Sequence, residues 1–352
     1  MKILRLYTRL PPLPGGMENH IAQLTKEQIK LGHEVSIYFN KGNKVTSSDI
    51  QVSRAPFYKL RPQFIGVFIF YFLICLRLAS NNQKFNLVHI HGDWSSLIFS
   101  RLIKKIVGAE KLIMSLHDEL SSNVFSKKML SVLIRNVDIV FATGHGLASQ
   151  LKEMNVKNVI VQPSGIKNIF FEGHKRVFNK NSFQVIIASN LVKKKNLGLV
   201  LDVAKELPLL SFVVAGDGPE KKYLMDRIKY ENIFNVQILG YKIPNELLLL
   251  YYESDIFMIS SIKEGTPTAM LEAMACGLPI ITSGAGGVEN ILGSHNYIVQ
   301  KNDKENFVLC ISNLIKDADL MKEISTKNVK LSYSFSWTNV AKKIDNYIAG
   351  AS

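Results

Sequence analysis

Short apolar runs alternate with stretches of helical period along almost the entire chain. Near-continuous apolar runs separated by amphipathic helices are typical of a parallel sheet covered by helices on both faces. Two clear stretches of helical period lie over residues 18–31 and 97–106. The apolar runs predict strands over residues 3–7, 34–39, 87–91, 112–117, 138–143 and 159–162 in the first half, and over residues 183–188, 212–215, 236–239, 255–260, 279–282 and 297–299 in the second.

The alternation pauses over residues 162–182, which are rich in Asn, Lys, Gly and Phe and show no clear period. A chain of 352 residues also exceeds a comfortable single core. We therefore predict an α/β protein with two Rossmann-like, doubly wound domains, over residues 1–165 and 183–334, joined by a linker over residues 166–182. Ligands of such sheets bind beyond the carboxyl ends of the strands, so the loops there are expected to carry the chemistry.

The composition indicates a cellular compartment for the protein and shows that its charges are unevenly distributed along the chain. Apolar residues make up 47% of the chain and charged residues 20%, which excludes a disordered protein. The three cysteines are scattered, and residues 1–7 form too short an apolar run for a secretory signal, so we expect free thiols and a cytoplasmic protein. The net charge is +14, and residues 1–170 hold 22 Lys and Arg against 10 Asp and Glu. This excess favours an anionic partner such as a nucleic acid, a membrane surface or a phosphorylated acceptor, although a merely basic surface stays open.

One apolar segment raises the question of a membrane. Residues 64–76 are 13 apolar or aromatic residues in succession, and Arg77 follows them. A spanning helix needs about 20 such residues, so we expect this segment not to cross a bilayer. Packing in a domain core, contact with the bilayer interface and an apolar acceptor groove all stay open. Arg54, Lys59, Arg61 and Arg77 would suit anionic headgroups.

The loops of the first half hold a glycine pair and several histidines. Gly15-Gly16 precedes a predicted helix, where adjacent glycines permit a close approach of a ligand to the backbone. The loop lacks the G-x-G-x-x-G spacing of a dinucleotide site, which argues against a nicotinamide oxidoreductase. His89 and His91 share one face of a strand, but no further ligand stands at a recognisable spacing, so we expect no zinc site. His117 ends a strand, where either a structural or a catalytic role is possible.

The loops of the second half contain groups that suit a diphosphate and two diols. Lysines at positions 193–195 lie between a strand and a helix, where one of them would neutralise a phosphate. In the segment 260–279, Thr266 is a good N-cap and Pro267 suits the first helical turn. The N–H groups near Thr268–Met270 would then point at a diphosphate.

Two carboxylates flank this predicted anion site. Glu264 lies in the loop before the helix, and Glu272 lies in its second turn. Because like charges repel, both suit hydroxyl groups better than phosphates, one on a ribose and one on a sugar. That division of ligand groups is typical of a nucleotide-sugar site, whereas two surface carboxylates at a helix start would be the alternative.

This segment resembles the E-x7-E motif of the family-4 retaining glycosyltransferases, whose usual form reads E-G-x-x-x-x-x-x-E-A-M-A-x-G-x-P. The motif here runs from Glu264 to Glu272, and Ala273-Met274-Ala275 and Gly277-Leu278-Pro279 follow it. The likeness continues in the family's order over most of the chain. Its other parts are Gly15-Gly16-Met17-Glu18, Gly32-His33-Glu34-Val35, His117-Asp118, Gly216-Asp217-Gly218-Pro219, Leu239-Gly240, Asp255-Ile256-Phe257 and Gly286-Gly287-Val288-Glu289.

The resemblance implies a GT-B fold and a set of residue roles. The two domains would face a central cleft, with the acceptor on the first and the donor on the second, and residues 335–352 would form a helix that packs back toward the first domain. His117 and Glu264 would be the catalytic residues, His117 at the donor sugar and Glu264 on a sugar hydroxyl. Glu18 would contact the acceptor. The donor-binding residues would be Gly16 and Lys195 at the phosphates, Gly240 at the base, Glu272 at the ribose, Thr266, Pro267 and Thr268 at the helix start, and Asn190.

Asn190 is a departure from the family pattern. The family usually has Arg at this place, in a G-R-L-x-x-x-K pattern, whereas this chain has Ser189-Asn190-Leu191 followed by Lys195. Asparagine does not supply the bidentate positive charge of arginine. We therefore expect a weakened grip on the diphosphate, with Lys193 or Lys194 as possible compensation.

The resemblance also implies the reaction. Such enzymes retain the anomeric configuration and need neither a divalent metal nor a cofactor. The D-x-D pattern of metal-dependent transferases occurs at Asp317 and Asp319, in a polar helical stretch, and we reject it as a metal site. A UDP-sugar donor is expected, with a saccharide or a lipid-linked saccharide of a surface polysaccharide as acceptor.

Three other classes of function stay as alternatives. They are a nicotinamide oxidoreductase, a GT-B-like epimerase or phosphorylase, and a non-catalytic sugar or nucleotide binder. A nucleic-acid partner is not expected, because the aromatic and basic motifs of the known RNA-binding modules do not occur. We expect a cytoplasmic protein with possible peripheral attachment to the inner face of the plasma membrane.

Overall fold

The computed structural model places the chain in two compact units. Unit 1 comprises Met1–Ser164 and Trp337–Ser352, and unit 2 comprises Gly165–Ser336. The structure describes all residues except 14–15, 56, 58–59, 61, 118–119, 121–122, 174–181, 294–295, 300–302 and 351–352.

Unit 1 is built around a parallel sheet. Among the described residues the sheet has seven strands in the order β3-β2-β1-β4-β5-β6-β7. Its central strands are buried on both faces, as the continuous apolar runs predict, and Ile3, Leu4 and Leu6 of β1 are fully buried. The strands are β1 Lys2–Leu6, β2 Glu34–Phe39, β3 Ile50–Gln51, β4 Leu87–His91, β5 Lys111–Leu116, β6 Ile139–Ala142 and β7 Val159–Val161.

The helices of unit 1 cover this sheet. The predicted helix 97–106 is instead a 3-10 helix, Trp94–Leu97, followed by a separate α-helix from Ser100. The α-helices are α1 Gly16–Lys30, α2 Gln63–Asn81, α3 Ser100–Val107, α4 Val124–Leu133, α5 His145–Glu153 and α13 Trp337–Gly350.

The C-terminal helix α13 belongs to unit 1. Val340, Ala341 and Ile344 are buried in one cluster with Ile3 of β1 and Leu24 of α1. Polar contacts add to this packing, since the Thr338 hydroxyl donates to the Glu27 carboxylate over 2.9 Å. The boundary between the units lies at residues 336–337, so residues 335 and 336 belong to unit 2 rather than to this helix.

Helix α2 contains the apolar segment 64–76 and extends beyond it. The window Phe64–Asn81 has a mean hydropathy of 1.9 and is long and apolar enough to cross a membrane, by length and composition only. The expectation that the segment is too short therefore fails, because the helix continues through Arg77 for one more turn. One face of the helix, with Phe70, Tyr71 and Ile74, is fully buried in the core of unit 1. Of the three alternatives that the sequence left open, packing in a domain core holds for that face.

Unit 2 repeats the architecture of unit 1. Among the described residues its parallel sheet has six strands in the order β10-β9-β8-β11-β12-β13. The strands are β8 Gln184–Ala188, β9 Ser211–Ala215, β10 Val236–Gly240, β11 Ile256–Ile259, β12 Ile280–Thr282 and β13 Tyr297–Ile298. The helices are α6 Leu197–Glu206, α7 Lys221–Tyr230, α8 Pro244–Glu253, α9 Thr268–Ala275, α10 Glu289–Leu292, α11 Lys304–Leu314 and α12 Ala318–Ser332.

The first part of the predicted linker is structured within unit 2. Residues 168–171 form a 3-10 helix, and Ile166 and Phe170 are buried in one of the unit's hydrophobic clusters. The Ile166 N–H donates to the Phe335 carbonyl over 2.8 Å. Residues 174–181 of the predicted linker lie outside the described residues.

Both sheets reverse their strand order in the middle, at β1 and β4 in unit 1 and at β8 and β11 in unit 2. Loops beyond the carboxyl ends of the strands on either side of such a point diverge to opposite faces and leave a crevice for a ligand. In unit 2 these are the loops that begin at Ser189 and Ser260. They contain Lys195 and Glu264, respectively.

Candidate active site

Glu264 and Lys195 form a shielded ion pair in unit 2. The Glu264 carboxylate accepts hydrogen bonds from Lys195 Nζ and from Ser261 Oγ, the latter over 2.7 Å. The two side chains of the ion pair are only 8% and 15% exposed, respectively. An ion pair so little exposed to water is weakly screened, so each charge holds the other in place.

The backbone also holds the lysine loop against the glutamate loop. The Ser260 hydroxyl donates to the Lys195 carbonyl over 2.9 Å, and the Ile262 N–H donates to the Lys194 carbonyl over 2.8 Å. Asn196 then adopts a left-handed conformation with φ of 50°, which ends the short 3-10 helix of the lysines and begins α6. Lys193 and Lys194 are exposed to solvent, so Lys195 is the lysine of the three that the fold directs into the site.

Helix α9 begins at Thr268, one residue later than an N-cap at Thr266 predicts. Pro267 occupies the cap position in an extended conformation, and Thr266 precedes it, so the prediction that Thr266 caps the helix is wrong. The Met270 N–H donates to the Pro267 carbonyl over 3.0 Å and is therefore already used. The donors that precede it at the helix N-terminus belong to Thr268 and Ala269, one residue fewer than predicted.

A cavity of about 280 Å³ joins these groups. We call it the glutamate cavity. It lies beyond the carboxyl ends of β8 and β11, and its polar lining combines a carboxylate, a lysine and the start of a helix. The polar residues that line it are Ser189, Asn190, Lys195, Ser260, Ser261, Glu264 and Thr268.

Glu272 lies one turn further along α9, beside Tyr251 rather than against this cavity. The Tyr251 hydroxyl is 3.4 Å from Glu272 Oε2 and can donate to it, and Tyr251 is fully buried. Burial raises the pKa of the Glu272 carboxyl to about 7, while the nearby Lys167 charge and the Tyr251 hydrogen bond act in the opposite direction. Glu272 is therefore a carboxyl group whose charge changes near neutral pH.

Two glycine turns are required by close backbone approaches around the site. A Cβ on Gly216 would lie 1.8 Å from the Ser189 carbonyl oxygen, and one on Gly286 would lie 2.3 Å from the Gly265 carbonyl oxygen. Gly286 thus packs directly on the loop of Glu264. Gly240, predicted to accept the base, has φ of 74° and accepts a hydrogen bond from the Gly216 N–H over 2.8 Å. The two loops are joined at the carboxyl ends of β9 and β10.

The D-x-D pattern has a structural role. Asp317 is the N-cap of α12, and its carboxylate accepts a hydrogen bond from the Leu320 N–H over 2.8 Å. Asp319 lies in the first turn of the same helix. An acidic residue at these positions stabilises a helix start.

His117 lies in unit 1, directly after β5. It lines a cavity of about 430 Å³ together with His91, Arg9, Asp93 and Trp94, which we call the histidine cavity. Burial lowers the pKa of His117 to about 4, so its imidazole is neutral at physiological pH. Asp118, the second residue of the predicted His-Asp motif, lies outside the described residues.

The structure brings His117 together with two histidines that the sequence separates. His91 Nδ1 lies 3.3 Å from His117 Nε2, and the rings of His20 and His117 meet edge to face at 4.6 Å. One nitrogen from each of the three rings lies within 4.8 Å of the others. Sequence reasoning grouped His91 with His89 and missed His20, because a helix, a strand and a loop contribute one histidine each.

The histidine cluster is an arrangement of neutral rings. Burial lowers the pKa of His20 and of His91 well below the ordinary value, and the buried Arg5 guanidinium acts in the same direction. The cation of Arg5 would also oppose a divalent ion among these rings. Within the described part of the chain, His20 Nε2 and His91 Nε2 are buried without a hydrogen-bond partner.

Gly16 and Glu18 stand at the start of α1. A Cβ built on Gly16 would meet nothing within 4 Å, which leaves space at this helix N-terminus. Gly15 lies outside the described residues. The Glu18 carboxylate is buried and pairs with Arg9, whose Nε is 2.8 Å away. Since Arg9 lines the histidine cavity, Glu18 holds a cation at its wall.

Replacement of Asn190 with Arg is expected to strengthen donor binding. Asn190 is exposed and lines the glutamate cavity beside Lys195, so a guanidinium has room there and would reach a diphosphate. A charge-assisted bidentate contact is worth enough to lower the Kd for UDP about tenfold. Isothermal titration of Asn190→Arg and of the neutral control Asn190→Gln with UDP checks this. Equal affinities of the two variants would contradict a role of this position at the diphosphate.

The GT-B class of fold is defined by two Rossmann-like units. Each unit here has a parallel sheet, and the loops at the point where its strand order reverses carry charged and polar residues. Solved structures agree, because HepE of Anabaena in complex with UDP matches with a TM-score of 0.79 at 18% identity, over 99% of this chain and 100% of that one. The family model described as Glycosyltransferase Family 4 matches residues 14–167, and that described as Glycosyl transferases group 1 matches residues 169–330. The chain belongs to the family-4 glycosyltransferases and uses a nucleotide sugar.

Two curated relatives differ in the acceptor that their names give. The gpi3 subunit of phosphatidylinositol N-acetylglucosaminyltransferase of Schizosaccharomyces pombe is 24% identical over 95% of this chain and 77% of its own length. A UDP-Gal:alpha-D-GlcNAc-diphosphoundecaprenol alpha-1,3-galactosyltransferase of Escherichia coli is 24% identical over 78% of this chain and 76% of its own length. These names cover both a phosphatidylinositol and a polyprenyl diphosphate acceptor.

Proposed function

We propose that the protein transfers a hexose from a UDP-sugar to a saccharide or lipid-linked saccharide acceptor, with retention of the anomeric configuration and without a divalent metal. The observation that carries the donor assignment is the convergence of Lys195, Glu264 and the N-terminus of α9 on one cavity. A lysine and a helix start favour a diphosphate. The complex of the structurally similar HepE with UDP supports uridine as the nucleoside.

Each donor-site residue has a separate task in this proposal. Lys195 and the N–H groups of Thr268 and Ala269 bind the diphosphate, and Glu272 accepts from the ribose hydroxyls. Glu264 accepts from a hydroxyl of the donor sugar. His117, a neutral imidazole in unit 1, supports the sugar on the face where the acceptor attacks.

The chemical step balances without an enzymic nucleophile. The acceptor oxygen forms a bond to the anomeric carbon while the bond from that carbon to the phosphate oxygen breaks. The acceptor proton moves to an oxygen of the leaving diphosphate. Lys195 stabilises the negative charge that develops on the diphosphate as the bond breaks, and such preorganised charge is usually a large part of catalysis.

We propose a lipid-linked acceptor in the synthesis of a surface polysaccharide. The two curated relatives support the lipid, because both of their names contain one. The name of the bacterial relative, with its diphosphoundecaprenol, favours a surface polysaccharide. We place the reaction in the cytoplasm, where nucleotide sugars are available, at the inner face of the plasma membrane.

A ligand screen by thermal shift tests the donor assignment. At a ligand concentration of about 100 times Kd, UDP and UDP-glucose are expected to raise the Tm by on the order of 5 °C, and GDP and ADP by less. Lys195→Met is the matched variant, and it is expected to lose most of this shift. A larger shift with GDP or ADP would overturn the choice of uridine, and no shift with any nucleotide would overturn the donor site.

Excess EDTA tests the metal-free mechanism. Transfer from UDP-sugar to a lipid-linked acceptor is expected to proceed at an unchanged rate, because the charge of the diphosphate is neutralised by Lys195 and the helix start. Loss of activity in EDTA that added Mg²⁺, Mn²⁺ or Zn²⁺ restores would contradict the proposal. If His91→Gln without EDTA loses activity as the wild type does in EDTA, the metal would be assigned to the histidine cluster.

A further inference from the structure

Helix α2 presents an apolar stripe to solvent. Phe64, Phe68, Phe72 and Leu76 recur at intervals of four residues and therefore lie on one side of the helix. Together with Ile65 they are 40–54% exposed. The opposite side of the same helix is buried in the core of unit 1. Large exposed apolar surfaces mark interaction sites. Because α2 is apolar on its exposed side as well as on its buried side, we expect the exposed side to contact an apolar partner.

The apolar stripe continues across neighbouring elements through ring contacts. The ring of Phe99 lies 4.9 Å from that of Phe68, and the ring of Trp94 lies 6.1 Å from that of Phe64. The ring of Phe125, at the start of α4, then meets Trp94 edge to face at 5.6 Å. Phe125 and its neighbour Val124 are themselves 58% and 79% exposed. We call this surface, formed by residues 64, 65, 68, 72, 76, 94, 99, 124 and 125, the aromatic surface.

The charges on the helices that carry most of the aromatic surface have one sign, whereas the loop before Trp94 contributes one exposed carboxylate, Asp93. Helices α2, α3 and α4 contain no Asp or Glu. Their Lys and Arg residues are Arg77, Arg101, Lys104, Lys105, Lys127 and Lys128. Lys104 pairs with Asp138, while the other five side chains are exposed. Helices that expose apolar residues together with an excess of positive charge are complementary to a partner with an apolar interior and an anionic surface.

A basic cavity lies at the C-terminal end of α2. Its volume is about 400 Å³, and Lys44, Arg54 and Arg77 line it. The one carboxylate in its lining, Asp49, is buried and accepts hydrogen bonds from the Ile37, Val45 and Thr46 N–H groups. Because Asp49 is engaged by the backbone, the three cations dominate the cavity. They suit the phosphate of an anionic lipid headgroup next to the apolar stripe.

We propose that the aromatic surface docks on an anionic lipid bilayer, with α2 lying in the plane of the interface. The apolar stripe enters the acyl region, and Arg77, Arg101, Lys105 and the basic cavity bind headgroup phosphates. The helix does not span the bilayer, because Phe70, Tyr71 and Ile74 would have to leave the core of unit 1. A second copy of the chain is a poor occupant, because it would bring the same excess of positive charge against this one.

The docked surface leads to the histidine cavity. Val67 of α2, Trp94, and Lys127 and Leu130 of α4 line that cavity, so its wall and the aromatic surface share elements. A lipid-linked acceptor held in the bilayer would therefore present its polar end to His91 and His117 without leaving the membrane. This consequence rests on the proposed function, whereas the docking itself does not.

Vesicle flotation of the full chain tests the docking. The protein is expected to float with phosphatidylcholine vesicles that contain phosphatidylglycerol, and not with phosphatidylcholine alone. Arg77→Gln with Arg101→Gln is expected to lower the partition coefficient roughly 25-fold at low salt, about fivefold for each cation removed. Phe68→Ser with Phe72→Ser is expected to abolish flotation. Tyr230→Ser, which removes a more exposed aromatic side chain from α7 of unit 2, is expected to leave flotation unchanged.

The controls separate this proposal from the others. UDP-induced thermal shifts of all variants are expected to match the wild type, which shows that folding and the donor site are intact. Equal flotation with neutral and anionic vesicles, or flotation of the Phe68/Phe72 variant at the wild-type level, would overturn the docking. Bound protein that resists extraction with alkaline carbonate would also overturn the docking, because it would indicate a spanning helix. The same holds if sedimentation shows a dimer formed through the aromatic surface and the protein does not float. Flotation without any UDP shift would uphold the docking and reject the donor site.

Discussion

Replacement of Glu264 with Gln is expected to lower kcat by on the order of 100-fold while UDP affinity stays equal or improves. In the free protein Glu264 accepts from Lys195 and Ser261, and in the proposed complex it accepts from a sugar hydroxyl. An amide forms weaker hydrogen bonds than a carboxylate at the reacting sugar. The same change removes a negative charge beside the diphosphate, so nucleotide binding does not suffer. Initial rates and titration calorimetry with UDP measure the two effects separately.

The control for Glu264 lies one residue away. Lys263→Gln alters an exposed side chain of the same loop and is expected to change kcat less than about twofold, since surface substitutions are usually near neutral. A comparable loss of kcat in Lys263→Gln would assign the effect to loop geometry. A loss of UDP affinity in Glu264→Gln at unchanged kcat would reverse the assigned role of Glu264.

Donor affinity is expected to depend on pH through Glu272. The pKa of its carboxyl is raised to about 7 in the free protein, and the proposed ribose contact needs the ionised form. The Kd for UDP-glucose should therefore rise about tenfold per pH unit as the pH falls below 7, and level off above it. UDP-glucose is the ligand to titrate because its diphosphate, esterified at both ends, does not change its charge near neutral pH.

Glu272→Gln provides both a control and a check of the sign. Its Kd is expected to be roughly 10-fold to 100-fold weaker than that of the wild type at pH 8 and to lack the pH dependence. Since a raised pKa means that the folded state disfavours the charge, the wild type loses stability as pH rises from the unfolded-state pKa toward 7. The variant should then be the more stable protein at pH 8, with no advantage at pH 4. Parallel pH profiles of wild type and variant would exclude Glu272 as the titrating group.

The strands were predictable because the central strands of a parallel sheet are buried on both faces. A strand such as β11 is then a continuous apolar run, and each of the twelve predicted strands agrees with the structure to within one residue at either end. Strand β3 is the exception. It has two half-buried residues at the sheet edge, Ile50 and Gln51, and so short a segment leaves no pattern in the sequence.

The arrangement of the candidate site could be predicted only where it is local in sequence. The segment from Glu264 to Glu272 combines a loop, a proline and a helix start, and these signals lie side by side. The Lys195–Glu264 pair joins residues 69 positions apart, and the contact of Tyr251 with Glu272 depends on how α8 packs beside α9. Neither pairing follows from spacing or propensity. The prediction that Thr266 caps α9 is wrong by one position, because Pro267 is the N-cap and the helix begins at Thr268.

The ion pair of Lys195 with Glu264 makes the proposed donor site nearly neutral where the diphosphate would bind. A ligand that binds there has to replace Glu264 as the partner of Lys195, since the lysine has no unpaired charge to offer. Inorganic phosphate or a free sugar replaces only one half of the pair and leaves the other charge unsatisfied in a shielded place. A nucleotide sugar offers a diphosphate to the lysine and a hydroxyl to the glutamate in one molecule. In the proposed function, the pair therefore favours a ligand that satisfies both charges, and a small anion that satisfies only one of them is expected to compete poorly with the donor.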